Sequence, residues 1–196
     1  MAAYRVPFLS LFQSLFLSLF GAAFLAPLPS PAWADQTDAR LDALFEVLET
    51  TSEMQAARAA EAEIWRIWIV SGREEIDALM VEGVAAMRNQ RFEDAIALFG
   101  QITERAPEFA EGWNKRATAY YLNDDPVASV RDIQRTLALE PRHFGAISGM
   151  GLIFLSRGDE AGALAAFEAV LAIHPGAPGA RQRVEELRKR LRERGA

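Results

Sequence analysis

The chain has 196 residues, of which 51% are hydrophobic and 24% are charged, and its formal net charge is −6. This balance is typical of a globular protein with one or two small domains and excludes a wholly disordered chain. Because the sequence has no cysteine, it can form no disulfide, thiolate metal site or thiol nucleophile. Only His143 and His174 could act as imidazole bases, so the composition favours an interaction protein over an enzyme.

The segment 1–34 carries the parts of a secretory signal peptide. Arg5 is its only charged residue, an apolar run from Val6 to Leu28 follows, and an Ala-Trp-Ala sequence ends at Ala34. A positive start, an apolar middle and small residues at the end are the features of a cleavable leader. We therefore predict cleavage after Ala34 and a periplasmic or secreted location for the processed protein.

An uncleaved membrane anchor is the alternative interpretation of this segment. The stretch from Phe8 to Leu25 is just long enough to cross a bilayer. However, Gln13, Ser14 and Ser18 interrupt it, and no cluster of basic residues fixes its orientation. We favour cleavage, and a membrane-anchored scaffold is expected only if the leader is retained.

A regular repeat organises the centre of the chain. Pro107, Pro141 and Pro175 are separated by the same number of residues. Each of them follows an apolar pattern with helical periodicity. Large and small residues recur in the same order at the same interval, which indicates three copies of one structural unit. The aligned positions are Leu79, Trp113 and Ile147; Gly83, Ala117 and Gly151; Ala95, Ser129 and Ala163; Phe99, Ile133 and Phe167.

These units resemble the tetratricopeptide repeat family, whose motif contains Trp, Leu-Gly, Tyr, Ala, Phe and a terminal Pro. The second unit keeps Trp113, Tyr120 and Pro141. The other two units together keep Gly83, Ala95, Phe99 and Pro107, and Gly151, Ala163, Phe167 and Pro175. The motif's Leu is replaced by Glu82, Arg116 and Met150, and Ala86 stands where its Tyr belongs.

The resemblance implies an all-α, right-handed superhelical α-solenoid of helix–turn–helix units, since one unit cannot bury its apolar face alone. The apolar pattern predicts helices near 76–89 and 92–105, 110–123 and 126–139, and 144–157 and 160–173. We divide the chain into a signal peptide at 1–34, an N-terminal capping helical hairpin at 35–75, repeats at 76–109, 110–143 and 144–177, and a C-terminal basic capping helix at 178–196.

Both ends of the stack are predicted to be closed by helices. Residues 38–50 and 53–70 form one more hairpin, and the apolar segment from Ile64 to Val70 is expected to be covered on two sides. Self-association through Trp65 and Trp68 is the structural alternative. The final helix carries seven basic and three acidic residues, and we interpret it as a solvating cap. Contact with anionic lipid, nucleic acid or an acidic partner is the other interpretation.

Chemistry-bearing clusters are not apparent in the sequence. His143 and His174 lie beside repeat-ending prolines and are predicted to be exposed turn residues without a metal-binding spacing. We predict no enzymatic activity, no cofactor and no metal. An enzymatic alternative requires carboxylates that converge in space, for instance Glu82 with Glu111.

The family resemblance implies that the earlier helix of each unit lines a concave surface that binds an extended peptide or a helix of another protein. We expect weak binding by an adaptor or assembly factor of a bacterial-type envelope, which is a monomer or a weak homo-oligomer and does not bind nucleic acid. The predicted partner-binding residues are Met80, Val84, Met87, Asn114, Thr118, Tyr121, Ser148, Leu152 and Leu155.

A subgroup of the family grips a C-terminal carboxylate with basic and polar side chains. In this sequence Met80, Val84, Gly145 and Gly149 stand at those places, so we predict no such grip. The rival to a free concave surface is that the protein's own terminal helices fill part of it.

Overall fold

The computed structural model describes residues 36–195, so the leader and its expected cleavage site lie outside the described residues. Nine α-helices and no strand occur within this range. The helices are α1 (Arg40–Thr50), α2 (Met54–Trp68), α3 (Glu74–Arg88), α4 (Phe92–Arg105), α5 (Ala110–Leu122), α6 (Pro126–Leu139), α7 (Phe144–Ser156), α8 (Glu160–Ile173) and α9 (Pro178–Gly195).

The predicted repeat is confirmed, because α3–α4, α5–α6 and α7–α8 form three successive helix pairs. The turn inside each pair places one residue in the left-handed region at the same register: Gln90, Asp124 and Gly158 have φ of 57°, 60° and 74°. The N–H after each of them donates to the carbonyl five residues earlier and so ends the first helix. Turn geometry therefore repeats with the sequence period, although only the third unit has the unstrained glycine.

Small residues allow the two helices of a pair to approach closely. A Cβ atom at Gly83 would collide with the Phe99 ring, and one at Gly151 would lie 2.9 Å from Phe167. Both rings are buried, so the first and third pairs are each closed by a ring against the backbone of the first helix.

Arg116 explains one departure from the family motif. Its guanidinium donates to both carboxylate oxygens of Asp132, at 2.7 and 2.9 Å, and its Nη1 donates to Thr103 Oγ1 at 2.7 Å. The hydrogen bond to Asp132 raises the pKa of Arg116 above its ordinary value. Because Thr103 lies in α4 and Asp132 in α6, this charge-assisted network joins the first two units where the motif has an apolar side chain.

The last helix continues the stack, as predicted from the sequence. Ala180, Val184 and Leu187 are buried and belong to the same apolar cluster as Phe167 and Val170 of α8. The basic side chains of α9 are exposed, and several pair with α8, as Arg188 does with Glu168 and Arg194 with Glu160.

The N-terminal hairpin forms as predicted but does not extend the stack. Helix α2 does not pack along α3 in the way that α4 packs on α5. Instead Ile64, Ile67 and Trp68 share an apolar cluster with α7, α8 and α9. Of the apolar residues described between Gln36 and Val70, only Ile69, just beyond the end of α2, packs against the core of the first unit.

Side-chain contacts hold the hairpin across the turns between units. Gln36 bonds the backbone of Glu108 and Ala110, and Asp42 pairs with Arg142 at 2.8 Å. The guanidinium of Arg142 also stacks over the Phe45 ring, 4.1 Å from its centroid. The hairpin is therefore a clamp over the N-terminal ends of α5 and α7 rather than a cap on the first repeat.

Candidate functional site

The nine predicted partner-binding residues lie on α3, α5 and α7, but not all of them are accessible. The prediction is wrong for Met80 and Asn114 as exposed contacts, because only 2% and 6% of their surface is accessible. Met80 packs in the core with Ile76 and Phe99, so its side chain faces the paired helix α4. Thr118 is exposed, and the other six are partly exposed: Val84, Met87, Tyr121, Ser148, Leu152 and Leu155.

Five of the nine residues line one cavity between α5 and α7. Its volume is about 160 Å³, close to the ~150 Å³ cavity left by a leucine truncation in a protein core. Ala117, Ile133 and Ala146 line its apolar part, and the five predicted residues that line it are Asn114, Thr118, Tyr121, Ser148 and Leu152. We call this space the α5–α7 cavity, and its size suits one aliphatic side chain.

Two glycines of α7 leave room for this cavity. Gly149 lines it, and in the described part of the chain the one atom that a Cβ there would contact is Ile133 Cδ1, at 3.4 Å. Gly145 lines it as well, but a Cβ at that position would strike the ring of Trp65 and lie 3.4 Å from the His143 ring. Helix α2 therefore covers the concave surface at Gly145 and leaves the space beside Gly149 open.

The structure does not bring the remaining predicted residues to this cavity. Val84 and Met87 pack on the core of the first unit. Leu155 packs against the cluster that contains Trp68 and Phe167. The rival interpretation, in which terminal helices occupy part of the concave surface, is thus correct for the region near Gly145.

The prediction that the two histidines are exposed is wrong. His143 is fully buried and His174 is 2% exposed, because the N-terminal hairpin covers the turns in which they lie. The indole of Trp68 stacks on the His143 ring with 4.1 Å between centroids and 10° between planes. His174 Nε2 lies 3.4 Å from Glu61 of α2. The repeat register could have predicted the burial of His143, since it occupies the position that Phe109 has in the preceding unit, and Phe109 is also buried.

His143 is the N-cap of α7 and joins a buried polar cluster. Its Nδ1 accepts from the Ala146 N–H at 3.1 Å, so this nitrogen is unprotonated and Nε2 carries the proton. Nε2 then donates to Glu111 Oε2 at 2.9 Å. Asn114 Nδ2 donates to the same oxygen at 2.9 Å, and the Lys115 ammonium lies 2.8 Å from Oε1.

Glu111 is ionised in this cluster although it is 1% exposed. Burial alone would raise its pKa, but the Lys115 ammonium and the His143 hydrogen bond outweigh burial and lower the pKa from 4.5 to about 2. Lys115 also lies over the Trp65 ring, 5.5 Å from the centroid. The cluster is therefore a fixed polar joint between α5, α7 and the clamp.

The arrangement offers little to a catalytic mechanism. Glu111 and His143 are within hydrogen-bond reach, but both are enclosed. Glu82, the other carboxylate considered, is exposed on α3. Within residues 36–195 no group of three potential ligands could hold a metal ion, and no helix has the length and apolarity needed to cross a bilayer.

Comparison with known proteins identifies the repeats. A family model described as tetratricopeptide repeat matches residues 80–137 and 124–178. A TPR repeat-containing protein of Rhizobium etli is 34% identical over 152 residues, which cover 78% of this chain and 74% of the relative.

Solved structures show the same architecture. The Sgt2 TPR domain from Aspergillus fumigatus has a TM-score of 0.58 and 26% identity, over 63% of this chain and 83% of that one. The first TPR of Spaghetti (RPAP3), solved with an HSP90 peptide, has a TM-score of 0.57 and 19% identity, over 60% of this chain and 94% of that one. The family model, the relative and the fold agree, and the chain belongs to the tetratricopeptide repeat family.

Proposed function

We propose that this protein binds an extended segment of another protein across α5 and α7 and seats one aliphatic side chain in the α5–α7 cavity. The cavity itself carries the proposal, because it has the volume of one side chain and opens beside the partly exposed Tyr121 and Ser148. Burial of such an anchor contributes about 1.5–3 kcal/mol.

The polar groups around the cavity suit a peptide backbone. Thr118 and Ser148 offer hydroxyls, and Tyr121 adds a flat ring with a polar end. Asn114 is held in place by its bond to Glu111, which in turn is held by His143 and Lys115. A rigid set of contacts lowers the ordering cost of binding, so that the flexible partner bears most of it.

Related structures support the proposed mode of binding, in which a TPR domain binds a peptide segment of another protein. The Spaghetti domain is described as bound to an HSP90 peptide, and the TPR2B domain of yeast Sti1 as a complex with pHsp70. In this chain, however, Met80 is buried and Gly145 and Gly149 carry no side chain to hold a terminal carboxylate. We therefore infer that the bound segment is internal and is recognised by its apolar anchor.

We further propose that the protein is a non-catalytic adaptor or assembly factor that works after export. The sequence of the leader supports export, and the enclosed state of Glu111 and His143 supports a binding role without catalysis. Intact-mass analysis of the protein recovered from cell fractions tests the first part. The mass of a chain that begins at Asp35, found in the periplasmic or secreted fraction, supports export. A full-length cytoplasmic product contradicts it.

Peptide selection on the immobilised protein tests the binding site. A phage-displayed library of random dodecapeptides supplies the probe, and enriched peptides are synthesised and titrated by fluorescence anisotropy. We expect a shared aliphatic residue and affinities of micromolar order, which correspond to about −8 kcal/mol. Replacing that residue by alanine in the peptide should weaken binding about tenfold or more.

The variant Gly149→Leu places a side chain in the cavity and should weaken the selected peptides at least about tenfold. Ala138→Leu is the matched control, because Ala138 is exposed on α6 and also gains a leucine within a helix. Equal binding by Gly149→Leu, Ala138→Leu and the unchanged protein would contradict the proposed site. Circular dichroism checks that both variants keep their helical content.

A further inference from the structure

The register of the repeats shows which positions of each first helix receive the preceding helix. At the first such position stand Gly112, Ala146 and Ala180, in α5, α7 and α9, and all three are buried. At the second, seven residues later, stand Ala119, Ile153 and Leu187, which are at most 2% exposed. These surfaces are covered by α4, α6 and α8 respectively.

The same surface of α3 has no covering helix among the described residues. Its corresponding positions are Ala78 and Ala85, and both are exposed, as is Glu82 between them. Val81 beside them is 69% exposed, the most exposed large apolar side chain of those found in residues 36–195. Helix α2 precedes α3 in the chain and could have filled this place, but its apolar side packs against α7, α8 and α9 instead. We call the surface formed by Ala78, Val81, Glu82 and Ala85 the α3 face.

Shape and charge at the α3 face limit what can cover it. Two shallow, open depressions that share Glu82 run along it, of about 670 Å³ between Gly72 and Glu82 and about 430 Å³ beside Leu98 of α4. Their charged residues are Glu74, Asp77, Glu82, Asp94 and Arg91, and Arg91 is already paired with Asp94. Within the described residues Glu74 and Glu82 have no hydrogen-bonded or ionic partner.

We propose that the α3 face binds an amphipathic helix of another protein, with an apolar stripe flanked by lysine or arginine. The stripe takes the place that α4, α6 and α8 take on the following units, and the small Ala78 and Ala85 let its backbone come close. The basic side chains meet Glu74 and Glu82, which have no partner in the described chain. This surface is distinct from the α5–α7 cavity, so one molecule can hold two different segments.

A helix patterned on α8 supplies a defined probe, because α8 covers the equivalent surface of α9. Its apolar stripe is formed by Leu164, Phe167, Val170 and Leu171. The basic probe is a peptide of residues 160–173 with Ala161→Lys, Ala165→Lys, Ala169→Lys and Ala172→Lys, all at positions that are exposed in the protein. The acidic probe carries glutamate at the same four positions and keeps the stripe.

Fluorescence anisotropy with the full chain at low ionic strength measures binding of both probes. The basic probe should bind with a Kd of roughly 10–100 μM, and the acidic probe at least about tenfold more weakly, a difference of about 1.4 kcal/mol. Ala78→Arg should weaken the basic probe at least about tenfold by filling the contact. Ala138→Arg, the same change at an exposed position of α6, should leave it unaffected.

Glu82→Lys gives the most selective result. Because it reverses one charge on an exposed side chain, it should weaken the basic probe several-fold and strengthen the acidic probe several-fold. A general loss of structure would weaken both. The proposal is overturned if neither probe binds at millimolar concentration, if both bind equally, or if Ala78→Arg and Ala138→Arg behave alike.

Discussion

Replacing the buried carboxylate of Glu111 by an amide should destabilise the protein in a pH-dependent way. The pKa of Glu111 falls from 4.5 to about 2 on folding. A difference of that size corresponds to about 3 kcal/mol of folding free energy. Because the folded-state pKa is the lower one, this stabilisation is fully present above the unfolded pKa and is lost as pH falls toward 2. About 1 kcal/mol should be lost by pH 4 and about 2 kcal/mol by pH 3.

Urea unfolding of the protein and of Glu111→Gln at pH 7, 4 and 3 measures this effect. At pH 7 the variant should be less stable by about 3–5 kcal/mol, since Lys115 and His143 lose a buried carboxylate. The difference between the two proteins should shrink by about 2 kcal/mol at pH 3. Glu49→Gln is the control, because Glu49 is exposed on α1. A stability difference between Glu111→Gln and the unchanged protein that stays constant from pH 7 to pH 3 would refute the low pKa of Glu111 and its pairing with Lys115 and His143.

Three further substitutions test the fold. Trp68→Ala should cost about 3–5 kcal/mol in urea unfolding, since Trp68 is 1% exposed and its indole stacks on His143. A cost below about 1 kcal/mol would show that the clamp does not dock there. Asp132→Ala should cost about 3 kcal/mol by leaving the largely buried Arg116 without its carboxylate, whereas an unchanged urea midpoint would contradict that network. Gln90→Gly should raise stability by up to about 1 kcal/mol, because Gln90 has a φ of 57°; a fall in the thermal midpoint would argue against this turn.

The repeat could be predicted from the sequence because its causes are local and recur. A helix pair is specified by apolar periodicity, a turn and a small residue opposite a large apolar side chain, and each of these returns in every unit. The predicted helices therefore end within two residues of the observed ones, as for 92–105 against Phe92–Arg105 and 76–89 against Glu74–Arg88.

The clamp could not be predicted from the sequence because it depends on a single long-range docking event. Nothing in the pattern of residues 64–68 indicates that Trp68 stacks on His143, two units further along the chain, or that Trp65 lies against Gly145. The same docking explains why both histidines are buried. The α5–α7 cavity was partly accessible to prediction, since five of its residues follow from the family register, but Met80 turns toward the core.

Locating the anchor side chain of a selected peptide by NMR tests the proposed binding site most directly. We predict intermolecular NOEs from its methyl groups to the methyls of Ala117, Ala146 and Leu152, which line the α5–α7 cavity. The same peptide should show no such NOEs with Gly149→Leu. NOEs that instead connect the anchor to Val84 and Met87, or to the outer surface of α8, would contradict binding in the α5–α7 cavity.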